Sequence, residues 1–407
     1  MACPVLAAAQ SIHGERRLGP ETVENRVRPG QEGTGIATGS LLFLPSVAFG
    51  TIATDDLYAR RSPQVSDIGG SLAPALAVEQ HGQSHLLALR LDALFERYAS
   101  HPREGTDRYG ATLQTTADLS AHLRVSLDAG IARRIETRGT TGDTLFGVAP
   151  IAYRQITLIA HAEGDRGPTR LAFDLDFDRY DYAVRHDGQT VIPLRQRDYA
   201  TARAGVRVTQ ALSPAVGTFV ALQVNTSRYP HENPGTPARA SHGFVALAGL
   251  AFGHERLVEG TISAGYLRQV FASPRYPVIA GFAYSANLRW HVTPLTSLGL
   301  DAGKTIQRSP IIDVAGVVQQ RFTLGAAHEL LRTLILRPAV SYAIDTYRGG
   351  SRVDRFASGE LTATWQAAPH VTLDATLRHA LARTNAAAAK PREFDQNRAT
   401  LTLKYVF

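Results

Sequence analysis

The chain has 407 residues, a formal net charge of +7 and one cysteine, Cys3. Its apolar fraction is 44%, its mean hydropathy −0.11, and no apolar run approaches the ~18 to 20 residues of a transmembrane helix, which excludes a helical membrane protein; the lone cysteine excludes an internal disulfide framework and a cysteine metal site. The basic residues behind a pI of about 9.6 are mostly arginines spread along the chain and not clustered, so no nucleic-acid partner is expected.

A transmembrane β-barrel survives these tests, because its lipid-facing and lumen-facing residues alternate and cancel in any hydropathy average. Residues 1–9 read as the remnant of a signal peptide, ending in Ala7-Ala8-Ala9, the small-residue pattern a signal peptidase accepts. Maturation after Ala9 is expected, with a lipidated Cys3 as the weaker alternative. Residues 10–38 are polar and aperiodic, with several Gly and Pro, and an irregular periplasmic segment is expected there. From Gly39 to Phe407 segments of about 10 to 16 residues with period-two alternation follow one another, separated by turn residues.

Leu123, Val125, Leu127 and Ala129 alternate with Arg124, Ser126 and Asp128, and Leu171, Phe173, Leu175 and Phe177 share a face opposite Asp174 and Asp176. Leu334, Leu336, Val340, Tyr342 and Ile344 oppose Arg337, Ser341 and Asp345, and residues 371–378 repeat the scheme. A helix would scatter these apolar sets round its axis, so they are strands. Pro338 lies inside one of them with no N–H to offer a neighbour, and a bulge or local break is expected there.

Short turns near 81–84, 119–122, 164–168, 212–215, 255–258, 293–296, 330–333 and 367–370 alternate with longer loops such as 185–195, 229–241, 307–317 and 347–355. Outer-membrane barrels have short periplasmic turns and longer external loops, whereas a sandwich has no rule that sustains such an asymmetry. The expected fold is therefore all-β, a transmembrane antiparallel up-and-down barrel over 39–407 of about 18 strands with both termini periplasmic. Sixteen is the alternative if 41–54 and its partner are not both full strands.

No pattern supplies catalytic, cofactor-binding or metal-binding residues. Gly303-Lys304-Thr305 imitates a phosphate loop but has Leu298 where the first glycine belongs; residues 260–265 hold one residue too many for a nucleophile elbow; His81 and His85 flank a turn without a metalloprotease spacing. The charged residues on the wet parity are instead lumen-lining candidates: Arg90 and Asp92, Arg124 and Asp128, Arg289 with His291, Arg337 and Asp345, Asp374 and Arg378. Asp174, Asp176 and Asp178 read as a cation site or selectivity patch, or as a ladder with Arg197, Arg203 and Arg207 on the next strand. The ladder is favoured, since opposed cross-strand charges stabilise by about 0.2 to 1 kcal/mol per pair. About 18 strands enclose a width that holds water, and the Arg excess predicts a polar passage with a slight anion bias. Phe95, Tyr109, Phe177, Phe219, Tyr266, Trp290, Tyr342 and Trp365 lie near strand ends, where interface girdles would sit; ordinary core aromatics are the alternative reading.

The chain closes on Leu401, Leu403, Tyr405 and Phe407 on one parity and Thr400, Thr402 and Lys404 on the other. This resembles the last strand of a bacterial outer-membrane barrel, and the resemblance implies an assembly signal, with outer-membrane lipid and the barrel assembly machinery as partners.

Taken with Gly39-Ser-Leu-Leu-Phe-Leu-Pro-Ser46, Thr54-Asp-Asp-Leu-Tyr58, Arg197-Asp-Tyr199 before Arg203-Ala-Gly-Val-Arg207, Thr293-Pro-Leu-Thr296 and His328-Glu-Leu-Leu-Arg332, the chain from Val27 to Phe407 resembles the β-barrel porins whose genes accompany exopolysaccharide or capsule synthesis in Gram-negative bacteria. It departs from them at Asp55-Asp56-Leu57, where the family usually has Asn after the acidic residue. The resemblance implies a porin-like role near polysaccharide secretion, with polysaccharide or other export proteins as partners, and supplies no catalytic residue. The alternatives are a barrel enzyme acting on lipid or polysaccharide at the outer rim, and a closed structural or receptor-like barrel.

Overall fold

The computed structural model describes residues 22–23, 26, 28 and 33–407, apart from 141–148, 184, 188–189, 193, 232–235, 254–256, 310 and 312–313. The expected signal-peptide remnant at 1–9 lies outside the described residues.

Eighteen antiparallel strands form one closed barrel. In chain order they are β1 Leu41–Thr54, β2 Asp67–His81, β3 His85–Tyr98, β4 Thr106–Ser120, β5 Leu123–Ile135, β6 Ala152–Arg166, β7 Thr169–Tyr182, β8 Tyr199–Ala211 and β9 Val216–Arg228. The second half comprises β10 Ser241–Phe252, β11 Val258–Phe271, β12 Ile279–Thr293, β13 Thr296–Gln307, β14 Gly316–Leu331, β15 Leu334–Arg348, β16 Val353–Ala368, β17 Val371–Thr384 and β18 Phe394–Val406. Each strand pairs with the next, and β18 returns to β1 from Ser46 opposite Val406 to Thr54 opposite Arg398.

The period-two pattern decides which way each side chain points. On β7 the apolar Leu171, Phe173, Leu175 and Phe177 are exposed on the outer wall, while Asp174, Asp176 and Asp178 share the inner face with Arg203 of β8. Shifting the register by one residue would exchange those faces, so the pattern fixes it.

The connections give the barrel two unlike rims. Turns such as 121–122, 167–168, 294–295 and 332–333 close one, and longer connections such as 55–66 and 385–393 lie at the other. The loop expected at 347–355 is shorter than its polar composition implies. It spans only 349–352, because Tyr347 N–H donates to Arg352 O (3.0 Å) and Arg352 pairs with Asp354 (2.5 Å).

At Pro338 the expected disturbance is a local break in pairing and not a bulge. Strand β15 runs through it, and pairing with β14 resumes in the same register, Gly325 opposite Ala339 and His328 opposite Leu336. Only the rungs at Pro338 and Arg337 drop out on that side, the missing N–H costing local hydrogen bonds without diverting the strand.

Residues 10–38 end in structure. Ile36–Thr38 is a short strand folded back on β1, with Ile36 opposite Phe43. It occupies the edge of β1 below the point where β18 stops. Further back, Val23 is fully buried against the inward Ala327 and Ile335, so this segment enters the barrel at the short-turn rim.

The closing seam is also tied from inside. Glu96 of β3 accepts from Arg108 of β4 and, reaching over β1 and β2, from Arg398 of β18 (3.0 Å), with its own side chain only 10% exposed. Removing one member of a desolvated cluster leaves the others uncompensated. Glu96→Ala is expected to lower the unfolding free energy of the detergent-folded barrel by about 2 to 4 kcal/mol. Asp118→Ala, whose partner Arg124 is half-exposed like Asp118 itself, is expected to cost less than ~1 kcal/mol; denaturant titration checks both.

Candidate pore lumen and its two mouths

The inner wall is built from cross-strand pairs. A residue's same-face neighbours along its own strand are about 7 Å away, whereas the residue opposite on the next strand is about 5 Å away. Pairing therefore runs sideways. Arg124 reaches Asp118 on β4 (2.6 Å), Arg289 reaches Asp301 on β13 (3.1 Å), and His161 reaches Asp174 on β7 (2.7 Å).

The acidic stripe of β7 meets its expected partner strand only in part. Arg203 bridges Asp176 (3.6 Å) and Asp178 (2.5 Å), and Asp178 also accepts from Thr157 (3.3 Å). Arg207 stands opposite Ala172 and lies over the Phe219 ring at 4.5 Å. Arg197 is not on the strand. It closes the 3₁₀ turn Arg195–Arg197 in the loop before β8 and pairs with Glu136 of another loop (2.8 Å). The cause is Asp198, whose carboxylate accepts the Tyr182 N–H (2.6 Å) and holds the turn just ahead of the strand.

The remaining candidates fall on the inner face without the partners their order implies. Arg337 donates to Thr364 (3.1 Å), which donates to Asp374 (2.6 Å). Asp345 is fully buried and accepts from Gln319 (2.8 Å). Arg90, Asp92, Asp128 and Arg378 make no ion pair among the described residues, and Arg378 stands opposite Glu360 and Arg398.

The arginine excess is not where an anion-selective lumen needs it. Arg97, Arg133, Arg154, Arg179, Arg268, Arg355 and Arg383 lie on the outward parity of their strands. The inward face of β3–β7 carries Asp92, Glu96, Asp118, Asp128, Glu163 and the β7 triplet against Arg90, Arg108, Arg124, Arg134 and Arg170. The expected anion bias thus loses its basis on this side of the barrel.

Phe219 is likewise misplaced as a girdle residue. It is 4% exposed and faces inward, because Val220, Leu222 and Val224 take the outer face of β9. Its proposed companions Tyr109, Tyr266, Trp290, Tyr342 and Trp365 are exposed on the outer wall, as are Leu401, Leu403, Tyr405 and Phe407 of β18, whose last two rings meet edge to face at 4.7 Å. Lys404 takes the opposite, inward parity, facing Thr372 and Ala48.

Two mouth structures escape sequence reasoning. At the long-loop rim Tyr153, Tyr180, Tyr182, Tyr199 and Tyr229 form a chain of ring contacts 4.4 to 5.9 Å apart. Arg308, from the loop between β13 and β14, crosses to lie 4.1 Å over Tyr199 and donates to Ser227 (2.8 Å), and Arg239 covers Tyr229 at 4.3 Å. The spacing of inward tyrosines on β6, β7 and β8 was readable; that loop arginines would cover them was not. Among loop carboxyls, burial pushes Asp198 above its usual range against the opposing pull of His231 (3.0 Å) and the Tyr182 N–H.

At the short-turn rim Arg26 and Arg28 each pair with the buried Glu329 (2.9 Å), and Arg28 also donates to Val23 O (2.8 Å). These bonds hold the N-terminal segment inside the wall. Glu329→Gln is expected to release it, raising conductance and the frequency of current steps in planar bilayers, while Glu163→Gln on the same inner face leaves both unchanged.

Over residues 28–407 the chain matches the family described as "Putative beta-barrel porin 2". Among solved structures it is similar to the outer membrane protein opdK from Pseudomonas aeruginosa (12% identity, 90% of this chain and 99% of that one, TM-score 0.49) and to OpdO of the same organism (12%, 90% and 97%, 0.48). It is also similar to the siderophore receptor PirA from Acinetobacter baumannii (7%, 90% and 80%, TM-score 0.47). No curated protein matches it. Eighteen closed strands, an apolar outer wall and a charged inner one belong together with that family match: the chain is a member of the beta-barrel porin 2 family, folded as a closed antiparallel barrel.

Proposed function

We propose that this barrel is a hydrated channel of the Gram-negative outer membrane, with its long loops outside and both termini in the periplasm, and that it serves the secretion of exopolysaccharide or capsule. The observation that carries the channel reading is the inner wall itself. Fixed charges that are paired sideways on their own wall, such as Arg124 with Asp118 and Arg289 with Asp301, leave the space between the walls to water and solute. A packed interior would instead bury them at a cost of several kcal/mol per ion.

In this reading Arg90, Asp92, Asp128 and Arg378, which bond no neighbouring side chain among the described residues, are the groups that meet the passing solute, and the paired residues set the local field. Polysaccharide fits such a path, since its hydroxyls exchange hydrogen bonds with charged and amide side chains as readily as with water. The link to secretion rests on the resemblance of motifs such as 39–46 and 328–332 to porins of that setting. Phe407, Tyr405, Leu403 and Leu401 present one outward apolar edge for the assembly machinery.

Purified protein in planar bilayers is expected to give discrete current steps; a barrel that is folded by its heat-modifiable migration and passes no current would sink the channel. Deleting the gene is expected to reduce secreted polymer with synthesis intact, and unchanged secretion would refute the export role. Phe407→Ser is expected to lower the outer-membrane level of the protein several-fold before any effect per assembled barrel. Normal levels of that variant would remove the terminal aromatic from the assembly signal.

A further inference from the structure

The outward arginines form a patch that the lumen does not use. On β5 and β6, Arg133 stands directly opposite Arg154 in the ladder, both on the outer face, in the same row as the exposed Tyr109 of β4 and Asp181 of β7. Like charges directly opposite across strands destabilise a sheet. Arg154 and Arg179 share the single carboxylate of Asp181 (2.8 and 2.9 Å), and Arg97 takes Asp107 (2.6 Å). Arg133 gives a guanidinium N–H to the Asp107 carbonyl and meets no carboxylate among the described residues.

Just below this patch the wall becomes apolar, with Ile131, Leu158 and Phe177 exposed toward the membrane. At the opposite rim the same wall ends differently. Leu119, Leu212, Leu330, Trp290, Trp365 and Phe407 stand there, exposed and uncharged. The patch thus gathers four arginines at headgroup height at the long-loop rim, whereas the other end of β6 carries the single outward Arg166.

We propose that the Arg133–Arg154 pair, with Arg97 and Arg179 beside it, binds the phosphorylated glycolipid headgroup of the outer leaflet. A phosphate between two guanidinium groups turns their repulsion into two charge-assisted hydrogen bonds. The acyl chains then lie along Ile131, Leu158 and Phe177, and Tyr109 flanks the sugar. The leaflet follows from the proposed orientation, on which this inference rests; the lipid contact itself follows from the wall.

The test is native mass spectrometry of the folded full-length protein in neutral detergent with added diphosphoryl lipid A or its fully dephosphorylated form. Wild type is expected to retain the diphosphoryl form at least about tenfold better, and Arg133→Gln with Arg154→Gln to lose on the order of tenfold or more of that affinity. Arg166→Gln, the same charge change at the short-turn end of β6, is expected to leave it intact. Replacing both by lysine keeps the charge and is expected to keep most of the binding, so a misfolded glutamine variant does not shield the idea. Equal retention of the two lipids, or equal loss from Arg166→Gln, overturns the contact. In a Cys3→Ser background, Gly350→Cys in the β15–β16 turn is expected to react with a membrane-impermeant maleimide on intact cells. An unreactive cysteine in a folded barrel overturns the orientation and with it the leaflet, whereas lost lipid discrimination in a labelled barrel overturns the lipid contact alone.

Discussion

Inside hydrocarbon there is no water to satisfy a backbone amide, so a sheet that crosses a membrane must close on itself. The seam between β1 and β18 is where this chain meets that demand, and its details follow from it. Strand β18 supplies partners to β1 only as far as Ser46. Pro45, which has no N–H to leave unpaired, sits at that point, and its carbonyl accepts the Phe407 N–H (3.1 Å). Below it Ile36–Thr38 takes over the exposed edge of β1, and the Phe407 carbonyl accepts from Gly35 (3.1 Å). The last residue is therefore bonded on both sides by the chain's beginning. Pro338 obeys the same accounting, since it surrenders rungs toward β14 and keeps its register toward both neighbours.

Closure also explains why the inner wall is so heavily bonded. A wide barrel cannot fill its interior with side chains, so the polar face must be stable against itself and against water. Pairs such as His161 with Asp174 rigidify adjacent strands without reaching across the lumen, while Glu96 spans β1 and β2 to join β3 to β18. The loops repeat this at the rim: Glu104 holds Arg138 (2.8 Å) and Glu136 holds Arg197 (2.8 Å), each pair joining two different loops.

The architecture was legible in the sequence because its two signals are local. Alternation at β5, β7, β15 and β17 needs only neighbouring residues, and so does the difference between a two-residue turn and a loop. The site was legible only as a set of faces. Asp174, Asp176 and Asp178 could be placed on the wet side, but which arginine reaches them depends on where β8 begins, and that is fixed by Asp198 capturing a backbone N–H of another strand. Phe219 reads as an outer aromatic until the stronger outward triplet Val220, Leu222 and Val224 is weighed against it. The insertion of Val23 beside Ala327, and the approach of Arg308 to Tyr199, join residues hundreds or about a hundred positions apart, and no periodicity encodes such contacts.

The formal charge of +7 is likewise a sum over two surfaces that do not see each other. At physiological salt a charge is screened beyond about 8 to 10 Å, so a solute in the lumen responds to the side chains nearest it and not to arginines on the outer wall. Around the inner face and at its two mouths those neighbours change sign. Arg308 and Arg239 stand at the long-loop mouth, carboxylates dominate the inward set of β3–β7, and at the short-turn mouth Arg26 and Arg28 share the single carboxylate of Glu329. The sign a solute meets therefore depends on which sector of the wall and which mouth it passes. The inner wall thus carries both signs side by side, and pairs such as Arg124 with Asp118 and Arg289 with Asp301 balance them within one or two strands, so that the sum over the chain describes neither surface.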